Sequence, residues 1–309
     1  MDASDQCFEA VRYAGLMLPT EQTKFTLFHV RNVIPESLWD LESGPDLRFR
    51  VTGFHAWEIQ QQKMIEAFMD QANRLLTSMG HPAANILHVV RDKRRGIARD
   101  IAAEARENYH ALVMGRRGIS ELKDLILGST ADKVLNHVQD VSVWVVGESP
   151  APGRVLVALD GSEAALRALD YVGDMLRGTN VEVLLLYVSR GLGFLESGLD
   201  ELLLIDEEKR WLSDARQALR ATETSMDLRF QECIRRLAQK GLDPDRMEAR
   251  IVRGSHSRSG TIVEEARLGG FGTIVVGRRG LSRVEEFIMG RVSNKVMQLA
   301  RDIAVWVVH

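Results

Sequence analysis

GRRGISELKDLILGSTADKV, residues 115–134, returns as GRRGLSRVEEFIMGRVSNKV, residues 277–296, with nine of twenty positions unchanged at an offset of 277 − 115 = 162. A match of this length at a fixed distance marks a duplicated unit. The flanks agree. A short apolar run precedes each copy (111–114, ALVM; 273–276, TIVV), and another follows each (141–146, VSVWVV; 303–308, IAVWVV). Upstream, LESGPD at 41–46 recurs as LESGLD at 195–200. Phe8, Val11, Ala14, Met17 and Leu18 answer to Leu166, Leu169, Val172, Met175 and Leu176 at an offset of 158, the spacing of one apolar helix face. Two homologous domains follow, 1–148 and 152–309, joined where Pro150, Pro152 and Gly153 break both helix and strand.

Within the second repeat, strand-like and helix-like stretches alternate. Residues 154–159 form an apolar run that ends in Asp160–Gly161–Ser162, with Ser162 placed as an N-cap and Glu163 in the first helical turn. Then come a strand at 181–188, a long amphipathic stretch to Lys240 and a strand at 247–252. A helix at 261–267, a strand at 273–276, a helix from near Ser293 and the terminal strand complete the unit. Apolar runs without polar alternation suit strands buried on both faces, and alternation with helices predicts a parallel sheet with right-handed crossovers. The fold class is therefore α/β: two doubly wound, Rossmann-like domains in tandem. The 58 residues at 189–246 exceed a minimal crossover and predict an added helix or excursion.

Composition narrows the function classes. The 309 residues carry 40 Lys and Arg against 43 Asp and Glu, a formal charge of −3, which gives no electrostatic footprint for nucleic acid or an anionic membrane. Arg91, Lys93, Arg94 and Arg95 form a short basic run, read as a solvated loop. Cys7 and Cys233 fit no metal or redox spacing and read as reduced thiols of a cytoplasmic protein. No apolar run suits a bilayer span, and the N-terminus lacks a basic-then-apolar leader. His29, His55, His88, His110 and His256 show no metal-binding spacing. Trp144 and Trp306, at matching places in the last strands, predict packing between the repeats. Ser120 and Ser282 read either as loop residues or as modification sites.

The chemistry-bearing pattern is Gly115-x-x-Gly118-x9-Gly128-Ser129, repeated as Gly277-x-x-Gly280-x9-Gly290-Arg291. Glycines after a strand let backbone approach a ligand closely. The third glycine leads into a helix whose free N–H groups and positive end suit an anion. The competing reading is that these glycines only shape turns and helix packing, and duplication alone does not separate the two. No G-x-S-x-G, no G-x-x-x-x-G-K-[ST] and no G-x-G-x-x-G occurs, so the hydrolase, P-loop and dinucleotide readings lack their signatures.

Together with the VLVALDGSEAAL segment and the VWVV-like last strands, this pattern resembles the universal stress protein family, in tandem over nearly the whole chain. The resemblance implies a five-stranded parallel sheet of order 3-2-1-4-5 and an ATP-type adenine nucleotide, with magnesium an open accompaniment. In the second repeat it assigns Asp160 and Val188 to adenine, Gly277 to ribose, and Gly280, Gly290 and Ser293 to phosphates, with Arg291 where the pattern has Ser or Thr. In the first it assigns Val30, Gly115, Gly118, Gly128 and Ser129. It also implies an internal pseudo-dimer through Val143–Val145 and Val305–Val307, with a further homodimer left open.

Arg291 either adds a charge-assisted bond to phosphate, turns to solvent or fills the pocket. A larger departure lies at the start. Asp2–Ala3–Ser4 aligns with Asp160–Gly161–Ser162, so Met1 alone stands where the second repeat has its whole first strand. That strand is central in the implied order, and its two neighbours would lose hydrogen-bond partners. Either the start is drawn too late by about eight to ten residues, one strand's worth, which is the favoured reading, or the first repeat leans on the second. Three functions are weighed: a nucleotide-binding stress-response module without efficient catalysis, a nucleotide-free interaction scaffold with degenerate sites, and an adenylating enzyme. The third would need an S-G-G-x-D-S-like loop where this chain reads Asp160–Gly161–Ser162–Glu163.

Overall fold

The computed structural model describes residues 1–33, 48–118, 127–189, 205–280 and 289–309, with side chains in the second stretch described from His55. The LESGPD and LESGLD segments, Ser120 and Ser282 lie outside the described residues.

The second repeat runs β5 (Arg154–Ala158), α5 (Glu163–Met175), β6 (Glu182–Val188), α6 (Asp206–Gln239), β7 (Met247–Val252), α7 (Arg258–Leu268), β8 (Thr273–Gly277), α8 (Arg291–Leu299) and β9 (Ala304–Val308). Its strands lie in the order β7-β6-β5-β8-β9, all parallel. The central strand β5 is buried at Val155, Leu156 and Val157, as an uninterrupted apolar run should be between two helical layers. Ser162 caps α5 as its residue type predicts, its hydroxyl accepting from the Ala165 amide at 3.2 Å. The long inter-strand segment contributes α6, 34 residues whose Phe230, Cys233 and Leu237 join the core.

The first repeat follows the same plan with one strand fewer: α1 (Asp5–Met17), β1 (Phe25–Arg31), α2 (Arg48–Ser78), β2 (Ile86–Asp92), α3 (Ile97–Ala105), β3 (Ala111–Gly115), α4 (Ser129–His137) and β4 (Ser142–Val146). Here β1 pairs with β2 and β3 with β4, but nothing among the described residues bridges β1 and β3. The sheet is split where the second repeat has β5. Exposure records the split: β3 is half-buried throughout, whereas the four equivalent residues 273–276 of β8 are buried. Met1 already occupies the last rung. Its amine donates to the Phe28 carbonyl, as the Leu159 amide donates to Leu186 in the second repeat. Asp2–Ala3–Ser4 then folds as its counterpart does. Both aspartates accept from the serine amide two residues on, at 3.1 and 3.0 Å, and both serines cap a helix. Ala3 even takes the left-handed φ of 58° that Gly161 takes at 78°, a conformation with a steric cost for alanine.

The repeats join through their last strands. β4 and β9 run antiparallel with Val143 opposite Val307, Trp144 opposite Trp306 and Val145 opposite Val305, giving one seven-stranded sheet, β3-β4-β9-β8-β5-β6-β7. The two indoles stack with centroids 3.6 Å apart and planes 6° from parallel. Each indole N–H reaches into the other repeat: Trp144 donates to Tyr171 Oη at 3.0 Å and Trp306 to Tyr13 Oη at 2.9 Å. Burial pushes both tyrosines well above the ordinary phenol range, so they remain neutral partners. One apolar cluster, on the face carrying α1, α5 and α6, runs continuously through both repeats.

Candidate functional site

The two glycine segments lie where the strands of each repeat end. In the second repeat, β5, β6 and β8 are parallel neighbours, so Asp160, Val188 and Gly277 come out at one edge of the sheet. The strand order reverses across β5, since the chain moves outward to β6 and β7 on one side and to β8 and β9 on the other. Such a switch point opens a crevice between crossovers, the general ligand position of open α/β sheets.

Gly277–Gly280 and Gly290, the described ends of the glycine segment, are pinned by backbone hydrogen bonds. The Arg278 amide donates to Val308 O at 2.7 Å, and the Gly290 amide to Arg278 O at 2.7 Å. In the first repeat the Arg116 amide donates to Val146 O at 3.0 Å and the Gly128 amide to Arg116 O at 2.9 Å. This closure brings the third glycine against the second. A Cβ on Gly290 would lie 3.6 Å from the Gly280 nitrogen, and one on Gly128 would lie 3.7 Å from the Gly118 nitrogen. None of the six glycines has a positive φ; Gly115, Gly118 and Gly280 are required for close approach, where a Cβ would meet a neighbour at 2.7, 2.5 and 2.4 Å.

Each middle glycine also touches the aspartate that follows the first-strand position. A Cβ on Gly280 would come within 2.4 Å of Asp160 Oδ2, and one on Gly118 within 2.5 Å of Asp2 Oδ2. In the second repeat the residues expected at opposite ends of one ligand, Asp160 for the base and Gly280 for the phosphates, are thus immediate neighbours, and Asp2 and Gly118 are placed alike in the first. Gly290 and Gly128 are the N-caps of α8 and α4. Glycine brings no side-chain acceptor, so the first-turn amides of both helices lack the internal cap that Ser4 and Ser162 give α1 and α5. Ser129 and Arg291 occupy the first helical position of α4 and α8.

Other assigned residues are placed as follows. Val188 and Val30 are buried at the carboxyl ends of β6 and β1. Ser293 is buried and its hydroxyl donates to the Gly277 carbonyl at 2.8 Å, fastening α8 to the end of β8. Its counterpart in α4 is Ala131, which has no such bond to make. Over the aspartate turn of the second repeat lies α6, from which Arg229 Nη1 donates to Gly161 O at 2.7 Å. Further along α6, Glu223 is nearly buried and holds Arg253 from the end of β7 at 2.8 Å. These two contacts tie α6 to the aspartate turn and to the end of β7.

Two buried cations were not singled out by the sequence reading. Arg116 and Arg278, the second residues of the two glycine segments, are 1% and 5% exposed. Both forks cross to the other repeat. Arg116 Nη1 donates to Met297 O at 2.6 Å and Nη2 to Ala300 O at 2.6 Å. Arg278 Nη1 donates to Leu135 O at 2.9 Å and Nη2 to Val138 O. Arg116 therefore caps the last turn of α8, and Arg278 that of α4, where end carbonyls and the negative dipole end favour a cation. Burial lowers the Arg116 guanidinium to about 10, which still leaves it charged at neutral pH. No local sequence signal marks this role, because the carbonyls it serves lie about 180 positions away.

Elsewhere, the basic run is occupied locally. Arg91 pairs with Glu104 at 3.7 Å, Lys93 Nζ donates to Asn32 Oδ1 at 2.8 Å, and the Arg94 and Arg95 amides donate to Asp100. Among the described residues there is no cluster of three or more His, Cys, Asp or Glu suited to a metal, and no helix long and apolar enough to cross a membrane.

A tandem α/β fold with paired glycine corners at its strand ends defines a class, and comparison with known proteins supplies the family. The universal stress protein family model matches residues 1–147 and again 152–309, so the chain belongs to the universal stress protein family, with two such domains in tandem, and with it to the stress response. Universal stress protein YxiE of Bacillus subtilis is 26% identical over 147 residues, 48% of this chain and 93% of that protein. A universal stress protein of Mycolicibacterium smegmatis is 25% identical over 192 residues, 61% of this chain and 62% of that protein. Among solved structures, a universal stress protein from Archaeoglobus fulgidus aligns over 100% of this chain and 96% of its own at a TM-score of 0.61 and 20% identity, a likeness of fold.

Proposed function

We propose that this protein is a regulatory binder of an ATP-type adenine nucleotide, held at the carboxyl edge of each repeat and released unchanged or hydrolysed slowly. The observation that carries the reading is the corner itself: Gly290, the N-cap of α8 without a side-chain cap, lies so near Gly280 that a Cβ on it would be 3.6 Å from the Gly280 nitrogen, and the Asp160 carboxylate lies against Gly280. A phosphate tail suits the amides of a helix start whose cap residue brings no side-chain acceptor, and a carboxylate suits the exocyclic amine of a purine. The second site has the complete sheet behind it. The first keeps the matching corner, Gly115, Gly118, Gly128 and Ser129, with Asp2 and Val30 beside a split sheet.

Turnover would need a positioned base or nucleophile, and this reading assigns none among the described residues of the corner. The expected rate of phosphate release lies below about 1 per second, the low end for ordinary enzymes. A faster rate would move the protein into the enzyme class.

Equilibrium titration of the full chain with the fluorescent nucleotide mant-ATP and magnesium tests the reading. Gly290→Val places a branched side chain against the Gly280 amide and is expected to weaken the second site at least tenfold; Gly128→Val is expected to do the same at the first. Absence of saturable binding to the unmodified chain would end the nucleotide reading and leave the interaction scaffold.

A further inference from the structure

The two glycine corners are mechanically joined. Arg116 belongs to the first repeat's loop, and its side chain ends on the last turn of α8, whose first turn is the second repeat's phosphate corner. Arg278 makes the mirror connection, from the second repeat's loop to the last turn of α4. α8 and α4 are nine residues each, about 13 Å, and a helix that short moves as a rod. A shift of the guanidinium at its carboxyl end is therefore delivered to the amides at its amino end. The circuit closes on itself: loop one, α8, loop two, α4, loop one.

Both backbone anchors of each loop stay within its own repeat, Arg116 N to Val146 O and Arg278 N to Val308 O, so the side chain is the cross-connection. Its geometry is specific. One planar fork satisfies two carbonyls three residues apart in the final turn, at Met297 and Ala300 or at Leu135 and Val138. That the contact recurs in both directions follows from duplication and the antiparallel seam; the specific feature is that each fork meets two carbonyls of one final turn.

We infer that Arg116 is a positioning residue for the second repeat's anion corner, and Arg278 for the first's, so that the two sites communicate through reciprocal capping of α8 and α4. The regulatory part of this inference rests on the nucleotide reading above; the positioning part does not. Occupancy of one corner stiffens its loop, fixes the arginine, and holds the opposite helix in its binding pose. Positive coupling follows, and by linkage it is equal in both directions.

Hydrogen exchange on the nucleotide-free full chain decides the positioning. Arg116→Met is expected to speed exchange of the α8 amides at Asn294 to Leu299 at least tenfold. Tyr171→Phe, which disturbs the same inter-repeat interface without touching α8, is expected to leave them within twofold. Arg116→Lys, which keeps the charge but reaches fewer carbonyls, is expected to fall between and serves alone if the methionine variant does not fold. Unchanged α8 exchange in the arginine variants, or equal acceleration by Tyr171→Phe, overturns the inference.

The coupling is then read with mant-ATP in the Gly128→Val chain, where the second site reports alone. Adding Arg116→Met should weaken that site at least fivefold, although the substituted residue lies in the other repeat. Affinity unchanged within twofold overturns the communication. If the unmodified chain binds no mant-ATP, the communication falls with the nucleotide reading, while the exchange result still decides the positioning role.

Discussion

Trp306→Ala is expected to lower the unfolding free energy by about 4–5 kcal/mol, the upper part of the range for truncating a buried aromatic residue. Three losses coincide at this position. Trp306 is fully buried, so its deletion leaves a cavity flanked by strands that cannot collapse without breaking the β4–β9 ladder. The stack on Trp144, at 3.6 Å between centroids, disappears with it, a further contribution of about 0.5–1.5 kcal/mol beyond area. The Tyr13 hydroxyl loses its indole donor but keeps Thr273 Oγ1 at 2.6 Å, so it is not stranded. Against a typical total of about 5–15 kcal/mol, the loss would leave a marginal protein. Urea unfolding followed by far-ultraviolet circular dichroism measures it. Trp211→Ala, at an exposed indole on α6, is the control and should change stability by less than about 0.5 kcal/mol. A shift for Trp306→Ala no larger than the control's would mean that the repeats do not depend on their shared seam.

Much of this architecture was legible because the relevant signals are local or duplicated. The apolar runs at 154–159, 181–188, 247–252 and 273–276 became β5 to β8 within two residues, since strands buried on both faces have little freedom in composition. Matching Asp2–Ala3–Ser4 to Asp160–Gly161–Ser162 exposed the split in the first sheet, and the same aspartate turn and serine cap form in both. The seam was readable from Trp144 and Trp306 because two tryptophans at equal places in a terminal strand suggest a shared surface.

What stayed hidden depends on contacts distant in sequence. Arg116 and Arg278 are the unspecified positions of a Gly-x-x-Gly pattern, and an arginine in a loop reads as solvated until its carbonyl partners are known. Ser293 carries a phosphate role in the family pattern, and only the coordinates place its hydroxyl on Gly277 O. Nor does spacing alone place Asp160 against Gly280; that contact exists because β5 and β8 are adjacent strands of the sheet.

Adjacency of the same kind frames the second large effect. Replacing Met1 by the seven residues GRVLVAL, copied from 153–159 and preceded by a new initiator, is expected to raise the melting temperature by roughly 3–6 °C. In the second repeat these residues pair with β6 on one side and β8 on the other, with Val157 opposite Leu185 and Val275. Applying the offsets of 158 and 162, the copied valine would face Leu27 of β1 and Val113 of β3. Because Met1 already donates to Phe28 in the rung that Leu159 occupies, the extension enters in register without moving Asp2. The scale is set by newly buried Val, Leu and Val side chains at about 1.5–3 kcal/mol each, opposed by the entropy of ordering the added backbone. A net gain of about 2–4 kcal/mol, set against an unfolding entropy of about 0.65 kcal/mol/K for 309 residues, corresponds to that shift. The half-buried β3 should become protected, and its amides should exchange as slowly as those of β8. An otherwise identical extension with both valines replaced by aspartate places charges in the slot and should give no gain. If the apolar extension leaves the melting temperature and β3 exchange unchanged, β1 and β3 are not a strand-wide pair of open edges, and the first repeat holds its shape by leaning on α1 and the seam instead.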